Sequence, residues 1–196
     1  MDLLIECHGK FNAATAIRIG KEIEKFSPMW FEEPVPAGMI QATKKVVQHV
    51  NIPIALGERF NSKMELKEYL ENGIVDVMMF DCGKIGGITE ALKICAMCEA
   101  WQVKVAPHNP FGPVVAIAQA HLAAAVPSFL ILEHEQMAPW AITPPIKIVD
   151  GFIEVPSEPG FGVDLNEEEI FRNQEKVDNG TYRPPPHDRE TFAPSL

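Results

Sequence analysis

Six times between residues 2 and 133, a short β-rich apolar run gives way to a turn, and five times an amphipathic helical stretch follows before the next run. The apolar runs occupy residues 2–6, 29–32, 52–57, 75–81, 103–108 and 129–133, and the helical stretches 13–26, 41–50, 63–70, 89–101 and 114–125. Ser62 and Glu65 have the spacing of a capping box, and Gly73 stands where that helix should stop. Strand and helix alternating at this interval predict a parallel sheet built from βα units.

An open doubly wound sheet and a closed barrel both satisfy such alternation, and the strand ends separate them. Each run finishes on an ionisable residue: Glu6, Glu32, Glu58, Asp81, His108 and Glu133, at intervals of 26, 26, 23, 27 and 25 positions. An open sheet gathers its ligand at one switch point, whereas a barrel converges every strand end on one mouth, so six charged ends favour a barrel. Six units are two short of eight, and the chain therefore reads as part of a truncated barrel. Beyond Glu133 come a Pro-rich stretch at 139–145, β-like pieces at 146–155, and a turn at Pro159–Gly160. An acid-led helix is expected from Asn166 to a stop at Gly180, followed by an extended tail with Pro184, Pro185 and Pro186. The division expected is a partial barrel over 1–165 and a C-terminal helix and tail over 166–196.

Charge and composition narrow the partners. With 17 Lys+Arg against 27 Asp+Glu the net charge is −10, the wrong sign for tracking a phosphate backbone, so nucleic acid is not an expected partner. No apolar run reaches the length of a membrane span, and the N-terminus lacks the basic flank of a signal peptide, which makes the cytoplasm the default expectation. Cys95 and Cys98 lie within an apolar helical pattern and, like Cys7 and Cys82, read as buried thiols rather than as a metal or redox pair. An open sheet leaves apolar strand faces uncovered, so association into a homo-oligomer is expected.

Carboxylates at three consecutive strand ends, Glu6, Glu32 and Glu58, would converge in one mouth and offer oxygen ligands to a hard divalent cation, for which Mg²⁺ is the best match. Asp81 and His108 end adjacent strands, where a carboxylate can fix the imidazole tautomer and raise its basicity, as a general base requires. Period-two alternation puts His8 on the same strand face as Glu6 and hence beside the metal.

The runs Phe31-Glu32-Glu33-Pro34, Gly57-Glu58-Arg59, Asp81 followed by Gly86-Gly87-Ile88-Thr89, and Ala106-Pro107-His108-Asn109-Pro110 resemble the enolase superfamily, mandelate racemase subgroup. Within it, Glu6-Cys7-His8-Gly9-Lys10 and residues 107–113 look most like galactonate dehydratase and related sugar-acid dehydratases. The resemblance spans roughly residues 2 to 165. It implies an α/β fold, the C-terminal part of a modified (β/α)7β TIM-type barrel. The N-terminal α+β capping domain and first two barrel strands of that family are missing from the sequence. It also implies Mg²⁺ on Glu6, Glu32 and Glu58, an Asp81/His108 dyad, and Glu133 near the enediolate. Glu6 departs from the family pattern, which has Asp there.

The chemistry so implied is removal of the proton α to a substrate carboxylate, followed by loss of a β-hydroxyl that His8 protonates, giving a 2-keto-3-deoxy acid from a galactonate- or gluconate-type sugar acid. Three carboxylates and one divalent ion still total −1, so an anionic substrate needs a further cation or donor; Arg59, Lys84 and Asn109 are the candidates. Glu133, if protonated, could donate to the developing oxyanion. A racemase, epimerase or cycloisomerase on the same scaffold, or a non-catalytic fragment, are the competing readings, and fold alone does not choose among them.

Overall fold

Five short parallel strands lie side by side in chain order in the computed structural model, which describes residues 1–135 and 137–178. They are β1 (Leu4–Glu6), β2 (Trp30–Glu32), β3 (Ile54–Leu56), β4 (Val77–Met78) and β5 (Lys104–Val105). The helices α1 (Ala13–Ile23), α2 (Ile40–Val47), α3 (Lys63–Glu71) and α4 (Ile88–Ala100) join successive strands, and α5 (Pro113–Ala125) follows the last. The order never reverses, which excludes a doubly wound sheet with its switch point.

Period-two alternation divides the sheet into two unlike faces. Phe31, Ile54, Leu56, Met78, Phe80 and Val105 belong to the larger core, together with Ala16, Val46, Leu66, Leu70, Ile94 and Leu122 from the helices. The opposite face carries a smaller cluster of Trp30, Ala55, Val77, Met79 and Ala106. The helices pack on one another in sequence: α1 on α2, α3 on α4, and α4 on α5. Close packing is visible at Gly20 of α1, where a Cβ would stand 2.7 Å from Val50.

The strands are shorter than the apolar runs that encode them: β1 and β2 run up to Glu6 and Glu32, whereas β3, β4 and β5 leave the ladder before Glu58, Asp81 and His108. The sixth run makes only a single parallel bridge, Val105 to Phe129, rather than the expected strand; Leu130 N–H reaches the Val105 carbonyl at 2.8 Å, and beyond it Glu133 N–H reaches Pro107 O at 3.3 Å. The helix expected to reach Phe26 changes to a 3-10 turn over Glu24–Phe26 and ends at Ser27, which adopts a left-handed conformation. Ser62 does not form the expected capping box: its hydroxyl donates to the Glu65 carboxylate at 3.0 Å instead of accepting a backbone N–H, and Glu65 reaches Asn61 N–H at 3.4 Å. Gly73 does end α3, at φ +60°. All four cysteines are free and buried, and burial pushes the Cys95 and Cys98 thiols up to about 12.

After the sheet, a 3-10 turn at Pro139–Ala141 leads into β6 (Ile142–Thr143). A hairpin of β7 (Ile148–Val149) and β8 (Phe152–Ile153) follows, and β9 (Asp164–Leu165) returns to pair antiparallel with β6. Asn166 caps α6 (Glu167–Asp178), its side-chain oxygen accepting Glu169 N–H at 3.3 Å. The helix packs on the 139–141 turn. The stop expected at Gly180 and the proline tail lie outside the described residues. Among the described residues, no helix is long and apolar enough to cross a membrane.

Gly57, between β3 and Glu58, is the tightest point of the strand ends. It has φ +143°, and a Cβ there would lie 2.9 Å from backbone atoms of Met79 and Phe80. Gly57→Ala is therefore expected to destabilise the chain by about 2 kcal/mol or more, from the strain and the overlap together. Gly73→Ala, with open space around it, should cost only about 1 kcal/mol. Urea unfolding of the two variants measures the difference; equal losses would show that the sheet yields at Gly57.

Candidate active site

The register of β1 against β2 sets Glu6 beside Glu32. Gly57 then brings Glu58 to the same point, so that one oxygen from each of the three carboxylates lies within 4.8 Å of the others. Glu32 and Glu58 are buried, whereas Glu6 is exposed. Trp30, two residues before Glu32 on the same strand face, donates its indole N–H to Glu32 Oε2 at 3.0 Å and fixes that carboxyl. Burial pushes the Glu32 carboxyl up to about 9, and the hydrogen bond to Glu6 and the charge of Glu6 push the same way. Glu33, held in a left-handed conformation at φ +37°, is raised to about 7, chiefly by burial.

This donor set is oxygen only, strongly anionic and partly desolvated. It fits a hard divalent cation of the Mg²⁺ kind, because such an ion prefers oxygen ligands and meets the negative charge that three converging carboxylates would otherwise leave unbalanced.

Glu58 also joins two imidazoles. His8 Nε2 lies 3.2 Å from its Oε1, and His108 Nε2 lies 3.2 Å from its Oε2. The other ring nitrogen of His108 meets Asp81 Oδ2 at 3.1 Å, and Asp81 is fully buried with its second oxygen accepting Gly83 N–H at 2.7 Å. Gln119 of α5 donates to the His108 carbonyl at 2.9 Å, and the Phe111 ring stands edge-on to the imidazole at 6.0 Å. His8 reaches the site by a route different from the one alternation predicts. β1 ends at Glu6, and His8 sits in a turn at φ +55°, with its backbone N–H donating to the Glu6 carboxylate.

The remaining candidates divide. Glu133 Oε2 accepts Asn109 N–H at 2.9 Å, and burial raises the Glu133 carboxyl. Glu133 shares a cavity of about 250 Å³ with Leu4, Glu6, Trp30 and Glu32. The Asn109 side chain is fully buried, and neither of its amide atoms has a hydrogen-bond partner. Lys84 is exposed; its ammonium group lies 3.1 Å from the Glu58 carbonyl and 5.4 Å from the Phe111 ring centre. Arg59 turns inward to Glu33, 2.6 Å from Nε. Trp30, Glu33, Phe111 and Gln119 were not among the residues read from the sequence as site residues. Of these, Trp30 carried a signal in the alternation that places it on the face of Glu32, and Glu33 and Phe111 lie within the runs that carry the family resemblance.

This parallel sheet, with carboxylates on three successive strand ends and an Asp–His pair on the next two, defines a class. The chain belongs to the enolase C-terminal domain-like family, which it matches over residues 1–170. It is 38% identical over 172 residues to the D-gluconate dehydratase of Thermoproteus tenax, covering 85% of this chain and 35% of that protein. With the D-galactonate dehydratase of Ralstonia pickettii the identity is 34% over 185 residues, 88% of this chain and 48% of the other. The crystal structure of a mandelate racemase/muconate lactonizing enzyme from a Sulfitobacter species superposes with a TM-score of 0.83 at 39% identity, over 86% of this chain and 43% of that one. A mandelate racemase/muconate lactonizing enzyme-like protein from Roseovarius sp. TM1035 gives the same TM-score at 38% identity, over 86% of this chain and 43% of that one. The chain thus spans half or less of the length of these relatives.

The raised Glu32 carboxyl makes a pH prediction for the metal-free protein. Glu32 holds a proton in the folded chain that it has lost in the unfolded chain between pH 4.5 and about 9. Its contribution to stability is therefore full below pH 4.5 and falls as pH rises towards 9. Thermal melts in chelator should show a declining Tm from pH 6 to pH 9, and Glu32→Gln should flatten the decline. A Tm that rises over this range would contradict the burial of this carboxyl.

Proposed function

We propose that this chain carries the metal-binding and proton-transfer groups of a Mg²⁺-dependent sugar-acid dehydratase, acting on a galactonate- or gluconate-type substrate. The observation that supports it most is the pair of imidazoles facing the two oxygens of Glu58, one backed by Asp81 and the other not. A single proton abstraction needs one such group; an elimination needs a base and a separate acid. The dehydratase relatives support the same reading. We also propose that the sequential sheet is an arc of a (β/α)7β barrel, with the strand ends at its mouth.

Glu6, Glu32 and Glu58 would hold the cation. When bound, Mg²⁺ supplies Lewis-acid stabilisation of the negative charge that develops beside a substrate carboxylate. His108 acts as the base. Asp81 accepts its Nδ1–H and stabilises the imidazolium, which leaves Nε2 to take the α-proton while the C–H electron pair moves into the enediolate. His8, protonated, then gives its proton to the β-hydroxyl as that C–O bond breaks, so that water leaves and an enol remains. The enol takes up a proton at C3 to become the 2-keto-3-deoxy acid. Glu133, whose carboxyl is raised by burial, would when protonated donate a hydrogen bond to the oxyanion, and Lys84 and Asn109 are the substrate contacts of this reading. Racemisation and cycloisomerisation have no leaving hydroxyl, and the separate acid at His8 favours dehydration over both.

In the active protein, His108→Asn should abolish exchange of the substrate α-hydrogen in D₂O. His8→Asn should keep that exchange and lose about 10²–10⁴-fold in keto-acid formation. Proton NMR of the substrate and a keto-acid assay read the two steps separately. Equal loss of both in His8→Asn would make His8 a substrate contact and remove the distinction from a racemase.

A further inference from the structure

Arg59 follows directly after a carboxylate of the cluster, and an anionic substrate makes it the obvious receptor. Its surroundings argue otherwise. The side chain is mostly enclosed, with Nε 2.6 Å from Glu33 Oε2, and Glu33 is itself 2% exposed. Nη2 lies 3.3 Å from the His8 carbonyl and 3.5 Å from Glu58 Oε1. A guanidinium recognises a substrate carboxylate through two parallel N–H groups on one edge, and here the Nε–Nη2 edge is already engaged by the protein. The charge of Arg59 is likewise met by Glu33, so the pair does not offset the −1 left by three carboxylates and a divalent ion.

These contacts tie three strand ends together. Gly9 N–H donates to the Glu33 carbonyl at 2.8 Å, joining the turn after β1 to the residue after β2. Arg59, after β3, then reaches both. His8 at φ +55° and Glu33 at φ +37° are non-glycine residues in the left-handed region, and such conformations persist only where the surroundings fix them. Fixing them matters because the His8 imidazole and Glu58 Oε1 meet at this point.

We propose that the Arg59–Glu33 pair is a positioning device that holds the His8 turn and Glu58 against each other, and is not a receptor for the substrate anion. The inference rests on the reading of Glu6, Glu32 and Glu58 as ligands and of His8 as the acid. It assigns Glu33, which no reaction step uses, a role through Arg59, and it leaves the exposed Lys84 as the cation for an incoming anion.

The test is the double variant Glu33→Gln with Arg59→Met, which removes both charges and so leaves no unpaired one buried. Two readouts apply: Mg²⁺ affinity by calorimetry, and the ¹⁵N shifts of the His8 imidazole at one fixed pH. The double variant should melt cooperatively, bind Mg²⁺ about 10–100-fold more weakly, and show displaced His8 signals. If it does not fold, Arg59→Lys carries the test. A lysine keeps the charge beside Glu33 but cannot span the three acceptors, and the same two changes are expected in smaller degree. Wild-type Mg²⁺ affinity with unmoved His8 signals in a folded variant overturns the proposal. If the wild-type chain itself binds no Mg²⁺, the ligand reading fails, and the His8 signals then decide alone: displaced signals uphold the positioning role and unmoved ones overturn it.

Discussion

The carboxylate of Glu58 is the interaction on which the rest of the site depends. One oxygen faces His8 and the other faces His108, while the same group belongs to the cluster with Glu6 and Glu32. A buried anion among other anions is unfavourable unless cations or donors surround it. The fold supplies two imidazoles and the Arg59 guanidinium at 3.5 Å, and the cluster is suited to hold a cation besides. The glycine immediately before Glu58, at a positive φ that a side chain would strain, is the backbone requirement for that placement.

The division of labour between the two faces of the sheet follows from this. The helix-facing side carries most of the buried apolar residues and can be large because α1 to α5 cover it. The opposite side has only a small apolar cluster beneath the acids, with Trp30 serving both, since its ring packs in the cluster and its N–H restrains Glu32. Stability is thus concentrated away from the site, which leaves the strand ends able to carry charge, left-handed turns and raised carboxyls.

Much of the site was legible in the sequence because it repeats. The strand-end acids recur at nearly constant spacing, and a parallel sheet in sequential order must gather them at one edge; the same regularity locates all five helices to within a few residues. Other features depend on contacts that spacing does not encode. Arg59 reads as a free cation beside Glu58 until the turn at Glu33 folds a carboxylate under it. His8 was expected at the site by strand alternation, but it arrives through a left-handed turn after the strand has ended. The run after α5 has the composition of a strand and yet forms a single bridge, since composition reports burial and β-propensity rather than ladder length.

The central claim is that three strand-end glutamates form one divalent-cation site. Diffraction data collected at the manganese edge from crystals soaked in Mn²⁺ test it most directly, since Mn²⁺ accepts the same oxygen ligands as Mg²⁺. One anomalous peak within coordination distance of carboxylate oxygens of Glu6, Glu32 and Glu58, with Trp30 still bonded to Glu32, is the result expected. A peak elsewhere, or none with the three carboxylates still clustered, would contradict it.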